Sequence, residues 1–164
     1  SERVMARTGT GEYRPGVHIL LATDADWIVD EVTAALGGPD TTFTVCRDGR
    51  VVSDQVRERR PDLAIVDLQV GSMGGMAIAM ALRLDESAGA LPHVNVLMLL
   101  DRTADLYLAQ RSSAEGWLVK PLDAMRLGRA AAAIAAGQTW FEGVPVPVTV
   151  EDDATAEEEP ATAG

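Results

Sequence analysis

Short apolar runs alternate with amphipathic stretches along most of this chain, from about residue 17 to residue 137. Runs of about four to eight apolar residues are typical of strands that are buried on both faces of a sheet. Such runs predict strands at 18–22, 63–67 and 94–100, and the short segments 42–46 and 117–119 predict two more. The stretches between and after these runs space their apolar residues as on one face of a helix. They predict helices at about 28–36, 51–59, 76–84, 104–111 and 124–136.

The alternation of strands and helices determines the predicted fold. Short links between a strand, a helix and the next strand are typical of βαβ units, whose parallel strands form one sheet with helices on both faces. The fold class is therefore α/β, a three-layer (βα)5 sandwich. We expect one domain at 16–137, preceded by a flexible arm at 1–15. A segment rich in proline and valine and an acidic, disordered tail follow at 138–164.

Composition and charge exclude several classes of protein. The chain has 164 residues and a net charge of −11, which argues against direct binding to nucleic acid. Seven of its acids lie between Glu142 and Glu159, with no basic residue among them. A single cysteine excludes an internal disulfide, and no apolar run reaches the roughly 18–20 residues of a membrane helix. Without a signal-peptide pattern either, the expected compartment is the cytoplasm, with no membrane partner.

Polar residues collect at the carboxyl ends of the predicted strands, where open parallel sheets bind their ligands. Asp24, Asp67, Asp101 and Lys120 each end or closely follow a strand. Two carboxylates can bind Mg²⁺ together with water and phosphate oxygens. An aspartate beside a metal ion and an ammonium group can attack a phosphoryl donor. The alternative, for each residue taken singly, is an ordinary strand-end group that pairs with a helix cap or with solvent.

Lys120 is the only lysine in a chain with thirteen arginines. A lysine ammonium is a compact charge on a flexible stem, whereas a guanidinium group is planar and bulkier. The single lysine therefore indicates a position where arginine does not serve, and the alternative is chance in an arginine-rich composition.

Two segments resemble the receiver domain of bacterial two-component response regulators. The segment 61–75, PDLAIVDLQVGSMGG, is a strand that ends in Asp67 and a loop with Met73 and Gly75 at the family's places. The segment 116–121, GWLVKP, is similar to the family's aromatic residue, two apolar residues and Lys-Pro pair. The resemblance covers roughly residues 17–137 and implies a flavodoxin-like fold with the sheet order 2-1-3-4-5.

The resemblance also implies roles and partners. It implies that Asp67 accepts a phosphoryl group and that Lys120 pairs with it. Asp24, Asp67 and the backbone carbonyl of Gln69 would hold Mg²⁺, and the bond from Lys120 to Pro121 is often cis in the family. The expected partners are a histidine kinase or phosphotransfer protein and a downstream protein. A homodimer through the helix at 104–111, the fifth strand and the last helix is a further hypothesis.

Three positions depart from the family pattern. Thr23 replaces the first of two adjacent acids after strand one and adds no charge, which should weaken Mg²⁺ binding. Leu100 replaces a Ser or Thr whose hydroxyl bonds the phosphoryl group and triggers the switch. Gly71 replaces a proline, which makes the loop looser. Trp117 stands at the aromatic switch position, either as a switching ring or as a ring packed near the last helices.

These observations leave two functions open. The first is a stand-alone receiver that is phosphorylated on Asp67 and signals through protein contacts. The second is an atypical receiver, not phosphorylated, that acts as a constitutive interaction module or complex subunit. An independent phosphatase of the Asp-x-Asp type is a weaker third class, because Leu68 and Gln69 after Asp67 supply no second acid. We therefore expect no enzymatic activity beyond self-phosphorylation and dephosphorylation at Asp67.

Overall fold

The computed structural model describes residues 16–71 and 73–143. Within them, six strands form one sheet. The strands are β1 (Val17–Ala22), β2 (Thr41–Cys46), β3 (Leu63–Asp67), β4 (Val96–Leu100), β5 (Gly116–Val119) and β6 (Trp140–Phe141). The predicted arm at 1–15 and the part of the predicted tail at 144–164 lie outside the described residues.

The strands are all parallel and lie in the order β2-β1-β3-β4-β5-β6. The α/β class and the order 2-1-3-4-5 are thereby confirmed, with a sixth strand added at one edge. The chain reverses its direction of travel across the sheet between β1 and β3, which places a crevice at their carboxyl ends. Asp67, the last residue of β3, lies beside this crevice.

The helices are α1 (Asp26–Leu36), α2 (Val52–Glu58), α3 (Gly75–Ser87), α4 (Leu106–Arg111) and α5 (Ala124–Ala135). Helices α1 and α5 pack on one face of the sheet, and α2, α3 and α4 pack on the other. Because successive strand residues point to opposite faces, β3 and β4 are buried at every position. This explains their continuous apolar sequences. No helix in the described ranges is long and apolar enough to cross a membrane.

The short strand β6 lies beyond residue 137, the predicted end of the domain. Gly137 ends α5 with a φ of 84°, and the chain then returns to pair Trp140 with Gly116 and Phe141 with Trp117. The ring centroids of Trp117 and Phe141 are 4.3 Å apart. Strand pairing and aromatic contact therefore hold this segment against the sheet.

Candidate functional site

Asp67 ends β3 and is almost completely buried, with 1% of its surface exposed. The apolar residues before it fill the centre of the sheet, which leaves its carboxylate at the carboxyl edge. Helix α3 begins close behind it, since a Cβ at position 75 would collide with the backbone carbonyl of Asp67. Glycine at position 75 is therefore required for this approach.

Both carboxylate oxygens of Asp67 accept hydrogen bonds from the protein itself. The hydroxyl of Thr23 donates to Oδ2 at 2.7 Å. Lys120 Nζ donates to Oδ1 at 2.7 Å, and the backbone N–H of Gln69 donates to Oδ1 at 3.1 Å. A buried carboxylate needs such partners, because an unpaired charge in the interior is strongly destabilising. The charge of Asp67 is thus balanced without any ligand.

Lys120 joins two carboxylates. Its Nζ lies 2.7 Å from Oδ1 of Asp67 and 2.7 Å from Oδ1 of Asp101. It also lies 5.9 Å from the centroid of the Trp27 ring, within reach of a cation–π attraction. Burial lowers the pKa of Lys120, but its bonds to Asp101 and Asp67 outweigh burial, so that the pKa is raised. Lys120 is therefore a charged link between the ends of β3 and β4.

Asp101 follows β4 and lies on the far side of Lys120 from Asp67. Burial raises the pKa of Asp101, but hydrogen bonds with Lys120 and the Gln69 side chain outweigh burial and lower it. The side chain is 35% exposed. The second negative charge of this site therefore comes from the end of β4, while the end of β1 contributes the neutral Thr23.

Asp24 is exposed, unlike Asp67. Its Oδ2 lies 2.8 Å from the point where a Cβ at position 71 would stand. Gly71 also pairs with Asp48 in an isolated bridge. The glycine therefore leaves room for the exposed Asp24 carboxylate, which a larger side chain at position 71 would push aside.

The predicted Mg²⁺ donor set has one acid fewer than the family pattern, because Thr23 holds the place of one of the two adjacent acids. Mg²⁺ demands oxygen ligands in near-octahedral geometry. The predicted set supplies two carboxylates, Asp24 and Asp67, and the backbone carbonyl of Gln69, so that water would have to complete it. Asp67 is already bonded by Thr23 and Lys120. Thr23, which stands where the family has an acid, directs its hydroxyl hydrogen at Asp67 and not at a cation site.

Leu100 and Trp117, the predicted switch positions, belong to one apolar cluster beneath α3 and α4. Leu100 is fully buried and offers no hydroxyl. Trp117 is 5% exposed, and its Nε1 donates to the backbone carbonyl of Glu142 at 2.9 Å. The Trp117 ring packs in this cluster and against Phe141 and Glu142 of the segment after α5.

Two contacts around the site have no local signal in the sequence. The bond from Thr23 to Asp67 joins residues 44 positions apart. Glu142, which the charge pattern groups with the acidic tail, forms an ion pair with Arg126 of α5. A hydroxyl at position 23, where the family has an acid, is the one sequence signal of the contact between Thr23 and Asp67. The contact between Glu142 and Arg126 can be foreseen only by knowing that the chain turns back after α5.

The parallel sheet, the buried strand-end aspartate and its lysine together define a receiver-type signalling domain. The family model of the response regulator receiver domain matches residues 19–132. The chain belongs to this family, whose members work in two-component signalling. Receiver domains typically bind Mg²⁺ at the acidic pocket and interact with histidine kinases and downstream effectors.

Individual proteins with similar sequences are also named as response regulators. An uncharacterized response regulatory protein of Mycobacterium tuberculosis is 35% identical over 119 residues, which are 69% of this chain and 86% of that protein. The DNA-binding response regulator MtrA of Mycobacterium leprae is 31% identical over 105 residues, which are 63% of this chain and 44% of MtrA. This chain therefore matches less than half of MtrA.

Solved structures of receiver domains share the fold. The chemotaxis response regulator CheY4 of Vibrio cholerae superposes with a TM-score of 0.61 at 24% identity, over 70% of this chain and 94% of that chain. The signal receiver domain of a histidine kinase from Syntrophus aciditrophicus gives 0.65 at 20% identity, over 87% and 100%. At these identities the likeness concerns the fold alone.

Proposed function

We propose that this chain is an atypical receiver of two-component signalling, which acts through protein contacts without requiring a phosphoryl group on Asp67. One observation carries the proposal, namely that both carboxylate oxygens of Asp67 already accept hydrogen bonds from the protein itself. Thr23 bonds Oδ2 and Lys120 bonds Oδ1 of a side chain that is only 2% exposed. A nucleophile must present a free lone pair to the incoming phosphorus atom. Of the roughly four lone-pair positions of the carboxylate, three accept bonds here. The remaining one lies on the buried Oδ2 beside the Thr23 hydroxyl, so the surrounding groups have to move to admit a phosphoryl donor.

The cost of that movement is appreciable. A hydrogen bond to a charged group contributes about 1.5–3 kcal/mol. If the bond from Thr23 must break before Asp67 can react, attack is slowed by about one to two orders of magnitude. Weak Mg²⁺ binding at a site that lacks the second family acid slows it further, because less charge is neutralised there.

Leu100 supports the same proposal from the output side. It is fully buried in the cluster that contains Trp117, and it has no hydroxyl to bond a phosphoryl group on Asp67. Trp117 is fixed by Glu142 instead. We therefore expect the domain surface to be the same with or without phosphate, as a constitutive interaction module requires.

A second candidate function is a receiver that is phosphorylated on Asp67, and the position of Lys120 favours it. The ammonium group lies 2.7 Å from Oδ1, where it would offset the charge of a transferred phosphoryl group. In this reaction a carboxylate oxygen of Asp67 bonds to the phosphorus of a phosphohistidine while the P–N bond breaks. The donor imidazole then takes up a proton.

In either function we propose that the partners are proteins. A histidine kinase or phosphotransfer protein acts on the input side of the phosphorylated receiver, and in both functions a downstream protein recognises the domain surface. We place the chain in the cytoplasm, without direct binding to nucleic acid or membrane and without enzymatic activity beyond Asp67 itself. A homodimer through α4, β5 and α5 is a hypothesis that sedimentation tests. If sedimentation shows only monomer at high concentration, both with and without a phosphate mimic, the homodimer hypothesis is wrong.

Beryllofluoride, a mimic of the aspartyl phosphate, separates the two candidates. Trp27 lies beside Lys120, so occupation of the site should change tryptophan fluorescence. We expect Mg²⁺ and beryllofluoride to leave the spectrum of the wild type unchanged, as they should that of Asp67→Asn. A saturable change in the wild type that Asp67→Asn abolishes would establish the phosphorylated receiver and overturn the first proposal.

A further inference from the structure

Two arginine–glutamate pairs bracket β5. Before its first residue, Arg83 pairs with Glu115 at 2.7 Å. After its last residue, Arg126 pairs with Glu142. The two glutamates are equally buried, each 22% exposed, and each accepts a bond from a backbone N–H of the sheet. Only the second pair lies at the end of β5 that carries Lys120.

Arg126 holds the backbone on both sides of Lys120. Its Nη2 donates to the carbonyl of Val119 at 2.8 Å, and its Nη1 donates to the carbonyl of Pro121 at 2.6 Å. Its Nε donates to Oε2 of Glu142 at 2.6 Å. The guanidinium group thus spans residues 119 and 121, with Lys120 between its two contacts.

Glu142 completes this arrangement from the segment after α5. Its Oε1 accepts from the backbone N–H of Val119 at 3.2 Å. Its backbone carbonyl accepts from Trp117 Nε1 at 2.9 Å, and its backbone N–H donates to the carbonyl of Trp117 at 3.2 Å. The hydrogen bond from Arg126 is the main cause of a lowered pKa for Glu142, which keeps the carboxylate charged.

Lys120 has little freedom of position. Its backbone N–H donates to the carbonyl of Leu100 at 2.8 Å, and its ammonium group reaches Asp67 and Asp101 at once, each at 2.7 Å. A displacement of its backbone by about an ångström would take at least one of these contacts beyond hydrogen-bond range unless the side chain readjusts to keep both. The backbone at residues 119 and 121 therefore constrains where the ammonium group can bind both carboxylates.

We propose that Arg126 and Glu142 are positioning residues for Lys120, so that the segment after α5 sets how firmly Lys120 binds Asp67 and Asp101. This inference goes beyond the proposed function, because the contacts of Lys120 exist without any ligand. It gives the chain beyond α5 a physical route to the acceptor site. An event that displaces residues 140–143 loosens Lys120 from both carboxylates.

The single lysine of the chain makes a direct test available. Lysine labelled with ¹³C at the ε carbon gives one NMR signal in the full chain, and its pH titration reports the pKa of Lys120. Glu142→Ala should shift this signal and lower the pKa of Lys120 towards its ordinary value. Glu142→Gln, which keeps an oxygen to accept from Val119, should give a smaller change in the same direction.

Glu115→Ala is the matched control, because it removes the equally buried pair at the other end of β5. It should lower the urea midpoint much as Glu142→Ala does, while leaving the Lys120 signal at its wild-type position. The proposal is overturned if the folded Glu142 variants also keep the wild-type signal, or if Glu115→Ala shifts it as far. If Glu142→Ala does not fold, Glu142→Gln decides. The outcome of this test does not depend on the beryllofluoride result, because the contacts of Lys120 exist without any ligand.

Discussion

The hydroxyl of Thr23 donates a hydrogen bond to Oδ2 of Asp67 across 2.7 Å. Thr23 is fully buried at the end of β1. A carboxylate in its place, as in the family pattern, would face Asp67 with no hydrogen to donate, and the two charges would require a cation between them. The threonine therefore replaces a metal-dependent neutralisation with a bond made by the protein.

Thr23→Asp should make the stability of the domain depend on Mg²⁺. Without the ion, a second buried carboxylate lies beside Asp67 unpaired, and we expect the free energy of unfolding to fall by about 3 kcal/mol. Adding Mg²⁺ should restore part of this loss, whereas the wild type should respond little. Urea denaturation with and without Mg²⁺ measures both effects. A wild type stabilised by Mg²⁺ as strongly as the variant would contradict the interpretation of Thr23.

Thr23→Val is the control that keeps the shape of the side chain and removes its hydroxyl. We expect a loss of about 1.5–3 kcal/mol, as is typical of a bond to a charged group, with no dependence on Mg²⁺. A variant as stable as the wild type would mean that the hydroxyl does not hold Asp67.

Leu100→Thr should destabilise the fold and should not by itself rebuild a switch. The informative comparison is with Leu100→Val, which matches threonine in shape. The threonine variant should be less stable than the valine variant by about 1–3 kcal/mol, because its hydroxyl finds no partner beside Leu106 and Trp117. Urea denaturation measures the difference. Equal stability would show that the hydroxyl reaches an acceptor.

Asp101 and Lys120 give the stability of the domain a predictable pH dependence. The pKa of Asp101 is lowered on folding, so its contribution is present at neutral pH and is lost as the pH falls below about 4. The pKa of Lys120 is raised on folding, so its contribution is complete below about pH 10 and is lost as the pH rises further. Between these limits both charges stabilise the fold.

Asp101→Asn should remove the contribution of the Asp101 carboxylate to stability and reduce that of the Lys120 ammonium group. At neutral pH we expect a loss of about 1 kcal/mol or less, because Asp101 is 35% exposed and water screens the pair. The difference from the wild type should shrink as the pH falls below about 4, because the unfolded state begins to take up a proton there before the folded state does. Urea denaturation across the pH range measures this difference in the free energy of unfolding. A difference that stays constant down to about pH 3 would indicate disturbed packing instead of lost charge.

Features with local causes were predictable from the sequence. The strand predicted at 63–67 matches β3 residue for residue, since a strand buried on both faces is apolar up to the residue that ends it. Asp123, a capping residue before α5, accepts from the backbone N–H of Arg126 at 2.9 Å. Lys120 and Asp67, placed by two sequence motifs, lie in contact.

Features that depend on distant pairing were not predictable in the same way. A hydroxyl at position 23 carries no periodic signal, and its partner is set by the pairing of β1 with β3. Strand β6 has only two residues, too few for a pattern, and it forms because Trp140 and Phe141 meet β5. The position of Glu142 against Arg126 follows from that return of the chain.

The central claim is that Asp67, whose carboxylate is hydrogen-bonded by the protein, does not take up a phosphoryl group. The most direct test is to measure the intact mass of the protein after incubation with a small phosphodonor and Mg²⁺. The account predicts no gain of a phosphoryl group by the wild type under conditions in which Thr23→Asp, with its second acid restored, takes up one. Asp67→Asn is the negative control in both backgrounds. A hydroxylamine-sensitive gain of one phosphoryl group in the wild type, absent from Asp67→Asn, would contradict the account.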